Sequence, residues 1–175
     1  MKLSVFLPVS MLSALALSAL LPGEAQAAPK LGIDVNFALP VSMNSASAGA
    51  GGAIRGGYEL NLAILHVTPE IGLGYDKLTS SGGPGIFRGF AGGRLGVGGG
   101  VRLEGFAHLG YASVSYSGAG ATGMPVVDGG LALDFTLLPV VDFGIHAAYN
   151  VALDSSSVAS KPTWLGLGLH IAFVF

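Results

Sequence analysis

The side chains able to do chemistry are few and widely spaced. The chain has no cysteine, which excludes thiol catalysis, thiolate metal ligation and disulfide bonds. Four histidines are present: His66, His108, His146 and His170. A hairpin centred near Val158 would set His146 opposite His170, and two imidazoles are the beginning of a zinc site. No third ligand is evident beside them in the sequence, so no metal site is assigned. Nucleophilic catalysis needs a hydroxyl beside a base. The serine clusters lie far from any histidine, and the glycine run at 96–100 (GVGGG) lacks the Lys-Ser/Thr of a phosphate-binding loop. The sequence therefore predicts no catalytic residue, no cofactor and no metal.

What the charged residues do show is a shared parity. Arg55, Arg88, Arg94 and Arg102, with Asp34, Glu59, Glu70, Glu104, Asp128, Asp134 and Asp142, alternate with bulky apolar residues and never fall in their row. Period-two alternation is the mark of a β-strand with two unlike faces. Only Lys77 and Lys161 share the apolar parity, both in segments that read as loops. Buried charges are tolerated when paired, and the two sets are large enough to pair. Arg55, Glu59, Glu70, Arg88, Arg94, Arg102, Glu104, Asp128, Asp134 and Asp142 are accordingly expected to form an ionic network on the inner face of a closed structure.

Composition says which face is inner. Half of the 175 residues (51%) are hydrophobic, only 10% are charged, and 29 are glycine. A soluble surface carries roughly 25–35% charge, so lipid is the expected solvent. Beyond the first two dozen residues no apolar run reaches the ~20 residues of a membrane helix, which leaves a closed barrel, whose backbone groups are all satisfied within the bilayer. The mature net charge of −2 carries no basic footprint for nucleic acid.

Residues 1–27 read as a cleaved secretory signal. Lys2 gives the positive start, residues 3–21 the apolar core, and Ala25-Gln26-Ala27 the small-residue cleavage site. The domain is then 28–175. Strands are expected at 31–39, 54–64, 70–76, 87–97, 101–111, 127–135, 141–151 and 163–175. Composition assigns loops to 42–52, 77–85, 115–124 and 154–161, with short turns near 66–68, 98–100 and 138–140. A three-residue turn pairing Val97 with Val101 would set Arg94 opposite Glu104. Aromatic residues are expected in two belts on the lipid face, with Tyr58, Tyr75, Phe87 and Tyr149 at the outer end and Phe135, Phe143 and Phe175 at the other.

The last strand carries the most specific pattern. Leu165, Leu167, Leu169, Ile171, Phe173 and Phe175 form one apolar row that ends on an aromatic residue. This resembles the C-terminal strand of bacterial outer-membrane β-barrels, and across the mature chain the pattern resembles the OmpA transmembrane domain, OmpX and OmpW-like group. The resemblance implies an all-β, eight-stranded antiparallel up-and-down barrel in the outer membrane. It also makes Leu169, Ile171, Phe173 and Phe175 an assembly signal read by the barrel assembly machinery. Both termini would be periplasmic, lipid and lipopolysaccharide would be the surroundings, and the chain would be a monomer. Lipid A deacylases of similar architecture use a His-x-Ser pair, but here His108 precedes Leu109-Gly110 and His146 precedes Ala147-Ala148. A non-enzymatic structural or surface-interaction role with a plugged lumen is expected. The alternative is an OmpW-like pocket or narrow route for small hydrophobic molecules, suggested by inward-facing Phe90, Phe106 and Trp164.

Overall fold

The computed structural model describes residues 26–43, 46–62, 64–79, 83–116, 120–138, 140–153 and 162–175. Eight strands form a closed barrel in which each pairs antiparallel with its sequence neighbours and β1 closes on β8. They are β1 (Gln26–Pro40), β2 (Ser47–Leu62), β3 (Leu65–Thr79), β4 (Gly85–Gly98), β5 (Val101–Ser115), β6 (Ala121–Leu138), β7 (Val141–Ala152) and β8 (Thr163–Val174). Closure leaves no unpaired edge, which is the only way a sheet can sit in hydrocarbon.

The alternation sorts the two faces as expected. Leu31, Ile33, Val35, Ile54, Ile71, Leu73, Leu95, Leu103, Leu109, Leu131, Ile145 and Leu169 all point outward and exposed, while every charged residue named for the inner face is buried. A soluble protein could not leave so much apolar surface uncovered.

Element ends differ from the sequence reading, for one recurrent reason. Segments rich in Ser, Ala and Gly were expected to be loops, yet Gly49 to Gly52 pair with both β1 and β3. Ladder hydrogen bonds need only backbone, so small residues do not end a strand when both neighbours are in place. Likewise β3 runs on to Thr79, and β6 starts at Ala121, inside the expected third loop. β2 ends at Leu62 and β3 already begins at Leu65, which leaves His66 and Thr68 within β3 and not in the expected turn. The expected loop at 154–161 lies outside the described residues.

Two positional corrections follow. The β4–β5 turn is centred on Gly100, with Val97 opposite Leu103 and Gly98 opposite Arg102. Arg94 therefore faces Phe106, not Glu104, across that ladder. Gly98, at the edge of this turn, has φ of 135°, a conformation open to glycine. Because β2 begins seven residues before Ile54, Tyr58 lies near the short-turn end and joins Phe135 and Phe143 there, not Tyr75, Phe87 and Tyr149. The three short connections (63–64, 99–100, 139–140) share one end of the barrel with the start of β1 and the end of β8. The longer connections share the other.

Candidate functional site: an ionic lumen under an apolar cap

The inner face is layered along the barrel axis. At the short-turn end, Lys30 Nζ lies 2.7 Å from Glu59 Oε2 and 2.9 Å from Asp142 Oδ2. Arg102 donates to Glu59 Oε1 at 3.0 Å and to Asp142, which also accepts from Thr136 Oγ1 at 2.6 Å. Lys30 is absent from the predicted network. It sits one residue before the expected start of strand one, but on the same parity as Asp34, and that parity is the signal that would have found it.

The middle layer converges on Glu70. Its Oε1 accepts from Arg94 Nε at 2.7 Å and faces His108 Nε2 at 2.8 Å, while its Oε2 accepts from Arg55 Nη1 at 3.0 Å. Arg55 Nε also reaches Asp34 Oδ1 at 3.2 Å. Arg94 and Glu104, separated in the ladder, still approach to 3.6 Å along the diagonal. Both ring nitrogens of His108 face carboxylates, the other being Asp128 Oδ1 at 2.6 Å, an arrangement suited to an imidazolium donating from both sides. Arg88 Nη1 completes the layer, donating to Asp128 Oδ2 at 2.9 Å and to Asn150 Oδ1.

The inward aromatics belong to this network. Arg94 lies over the Phe106 ring at 4.6 Å and Arg88 over Phe90 at 5.5 Å, with His108 against both rings. Such cation–π contacts strengthen on desolvation. The Trp164 indole N–H donates to Asp76 Oδ2 at 3.2 Å. Glycine makes this packing possible: a Cβ at Gly72 would lie 2.3 Å from Phe90 Cζ, and one at Gly130 would lie 2.6 Å from Phe106 Cζ.

Towards the end with the longer connections the inner face turns apolar. Ala38, Leu78, Ile86, Ala112, Val114, Met124, Val126, Ala152 and Trp164 form one buried cluster, with Met43, Ala46 and Tyr116 packed against it. Sequence reading missed this cap because Leu78 and Met124 fall in segments expected to be loops. Among the ion pairs of the middle layer lies a cavity of about 30 Å³, lined by charged side chains together with Phe90, Phe106 and Trp164.

His146 and His170 do meet. The β7–β8 ladder sets His146 opposite Gly168 and His170 opposite Gly144, a diagonal pair, with ring centroids 5.4 Å apart. Closure of β8 on β1 brings Asp34 opposite His170, a neighbour invisible to a reading that stops at β7–β8. Of the residues expected to form an assembly signal, Leu169 and Phe175 are exposed on the outer surface, and Ile171 and Phe173 share that face half-buried.

No protein-family model and no curated protein sequence matches the chain. Solved structures do match. The fold is that of the small eight-stranded outer-membrane β-barrels. It is similar to Neisserial surface protein A (14% identity, TM-score 0.65, covering 86% of this chain and 99% of that one). It is also similar to the N-terminal β-barrel domain of Pseudomonas aeruginosa OprF (17%, 0.54, 86% and 100%) and to the outer-membrane enzyme PagL (12%, 0.54, 82% and 97%).

Proposed function

We propose that this protein is an integral outer-membrane barrel with a closed lumen, acting as a structural or surface-interaction element and not as a channel or an enzyme. The observation that carries this reading is the braced interior: Lys30 and the four lumenal arginines each meet at least one carboxylate, and an apolar cap lies above them. An eight-stranded barrel is just filled by its side chains, and about 30 Å³ of free space holds a water or two. That is far below the roughly 300 Å³ of a small-molecule site, which argues against a pocket or route for hydrophobic molecules.

On this reading residues 1–27 are removed on export and the barrel assembly machinery reads the β8 row ending at Phe175. The short turns and both termini face the periplasm, lipopolysaccharide surrounds the outer half, and the barrel is a monomer. The outer-membrane enzyme PagL has a similar fold, but the His-x-Ser pair expected of a lipid A deacylase is missing here, since His108 precedes Leu109-Gly110 and His146 precedes Ala147-Ala148. His108 is held between Glu70 and Asp128 in the lumen, away from any lipid substrate. Purified protein in planar bilayers should show no large, steady conductance and should leave lipid A mass unchanged. A stable open level in the recordings would overturn the closed lumen, and deacylated lipid A would overturn the non-enzymatic role.

A further inference from the structure

Beside the main network stands a cluster that the ion pairing leaves unexplained. His146 Nδ1 and His170 Nδ1 face each other at 3.2 Å. Each ring is anchored through its other nitrogen: His170 Nε2 lies 2.9 Å from Asp134 Oδ1, and His146 Nε2 lies 2.8 Å from Asn36 Oδ1. Those partners are oxygens that accept, so each ε nitrogen carries a hydrogen and, in neutral rings, each δ nitrogen presents a lone pair. Two such lone pairs at hydrogen-bond distance repel unless a proton or a metal ion lies between them.

A third donor completes the set. The Asp34 carboxylate has an oxygen within 4.8 Å of the ligating atoms of both histidines. Glycine shapes the space: a Cβ at Gly144 would lie 2.4 Å from His170 Cε1, and one at Gly168 would lie 2.7 Å from His146 Cε1. Each imidazole thus lies over the glycine opposite it in the β7–β8 ladder. Metal–nitrogen bonds of about 2.0–2.1 Å at tetrahedral angles put two nitrogens roughly 3.3 Å apart, close to the separation seen. The anchoring of each ε nitrogen by Asp134 or Asn36 is the outer-shell support that metal-bound histidine ordinarily has. Asp34 and His146 also line the small cavity, from which water can supply a fourth ligand. When Asp34 turns to the ion, Arg55 keeps Glu70.

Charge supports the same assignment. Among the described buried residues, the carboxylates of Asp34, Glu59, Glu70, Asp76, Glu104, Asp128, Asp134 and Asp142 outnumber Lys30 and the four arginines by three. An imidazolium at His108 would offset one, and a dication would offset the other two.

We propose that the lumen binds one divalent transition-metal ion of the zinc class through His146 Nδ1, His170 Nδ1 and the Asp34 carboxylate. Imidazole with carboxylate is a donor set suited to such ions. The ion would tie β7 and β8 to β1, across the seam that closes the barrel.

The test uses the full mature chain, refolded in detergent with Zn²⁺ or Co²⁺ present and then freed of excess metal. The expected result is one bound equivalent, a visible Co²⁺ spectrum of tetrahedral type, and a Zn²⁺-dependent rise in the thermal unfolding midpoint. His146→Ala and His170→Ala should each lower the affinity at least 100-fold, and Asp34→Asn about 10-fold, in line with loss of ligands. His66→Ala, remote from the cluster, should bind like wild type. If a ligand variant fails to fold, the zinc-edge absorption spectrum of the wild type decides, since two imidazoles in the first shell are required. Absence of stoichiometric binding, as when the histidine pair merely shares a proton, overturns the proposal. So does binding that survives in the His146→Ala/His170→Ala double variant.

Discussion

The indole nitrogen of Trp164 donates to Asp76 Oδ2 at 3.2 Å, joining β8 to β3 across the lumen just beneath the apolar cap. Trp164 is the chain's single tryptophan, and only 1% of it is accessible. Its emission therefore reports the barrel interior alone. In vesicles of brominated lipid the fluorescence should be almost unquenched, although tryptophan in membrane proteins commonly sits at the lipid interface. Strong quenching would place the ring outside. Trp164→Phe keeps the bulk but takes a donor from a buried carboxylate, a loss of about 1–3 kcal/mol that urea unfolding in vesicles would measure.

Glu70 accepts from Arg55, Arg94 and His108, so three donors depend on it. Glu70→Ala leaves two guanidinium groups short of a partner in a buried layer, and breaking a buried ion pair from one side costs about 3–5 kcal/mol. Glu70→Gln keeps an acceptor and fills the same space, so it should lie between wild type and Glu70→Ala. Midpoints of urea unfolding in lipid would rank the three. Equal stability of all three would mean that the pairing contributes nothing measurable.

How far these relationships could be read from the sequence depends on whether they are local. Inward and outward parity was legible in all eight strands, because a strand alternates at every step and lipid outside demands large apolar residues there. The strand ends were not, because Gly49 to Gly52 read as loop by composition while their backbones pair with both β1 and β3, and Ala121 to Gly123 read as loop while pairing with β5. Partners across the lumen were out of reach for another reason. Lys30 with Asp142, or Asp34 beside His170, follows from the stagger at which β1 closes on β8, and no adjacent pair of strands encodes that. Arg94 lies two positions from its expected partner, facing Phe106, because a run of three turn glycines leaves the centre of the hairpin unmarked in the sequence.

Phe90 fits because Gly72 is opposite it in the β3–β4 ladder. A methyl at Gly72 would fall 2.3 Å from Phe90 Cζ and 2.7 Å from the Ile54 carbonyl oxygen, so ring and backbone would both have to give way. Overpacking of this kind costs about 1–3 kcal/mol. Gly72→Ala should lower the urea midpoint, and Phe90→Leu combined with it should recover part of the loss. A midpoint unchanged in Gly72→Ala would mean that the ring is loosely held.

Leu131 tests the sidedness on which every lumenal contact depends. It lies in the middle of β6, opposite Gly105 on one side and Ala147 on the other, with 61% of its surface exposed. In water such a leucine could become arginine at almost no cost, since exposed substitutions usually change stability by less than about 0.5 kcal/mol. Facing hydrocarbon near the bilayer midplane, the same change costs about 2–4 kcal/mol, falling to about 0–1 near the interface. Leu131→Arg should therefore destabilise the barrel in vesicles by the larger figure. Tyr111→Arg, closer to the end with the longer connections, should cost less. Depth dependence separates lipid from an apolar protein partner, because a partner surface would not grade its penalty along the barrel axis. Equal and small losses at both positions would turn the barrel inside out, with water on its apolar face.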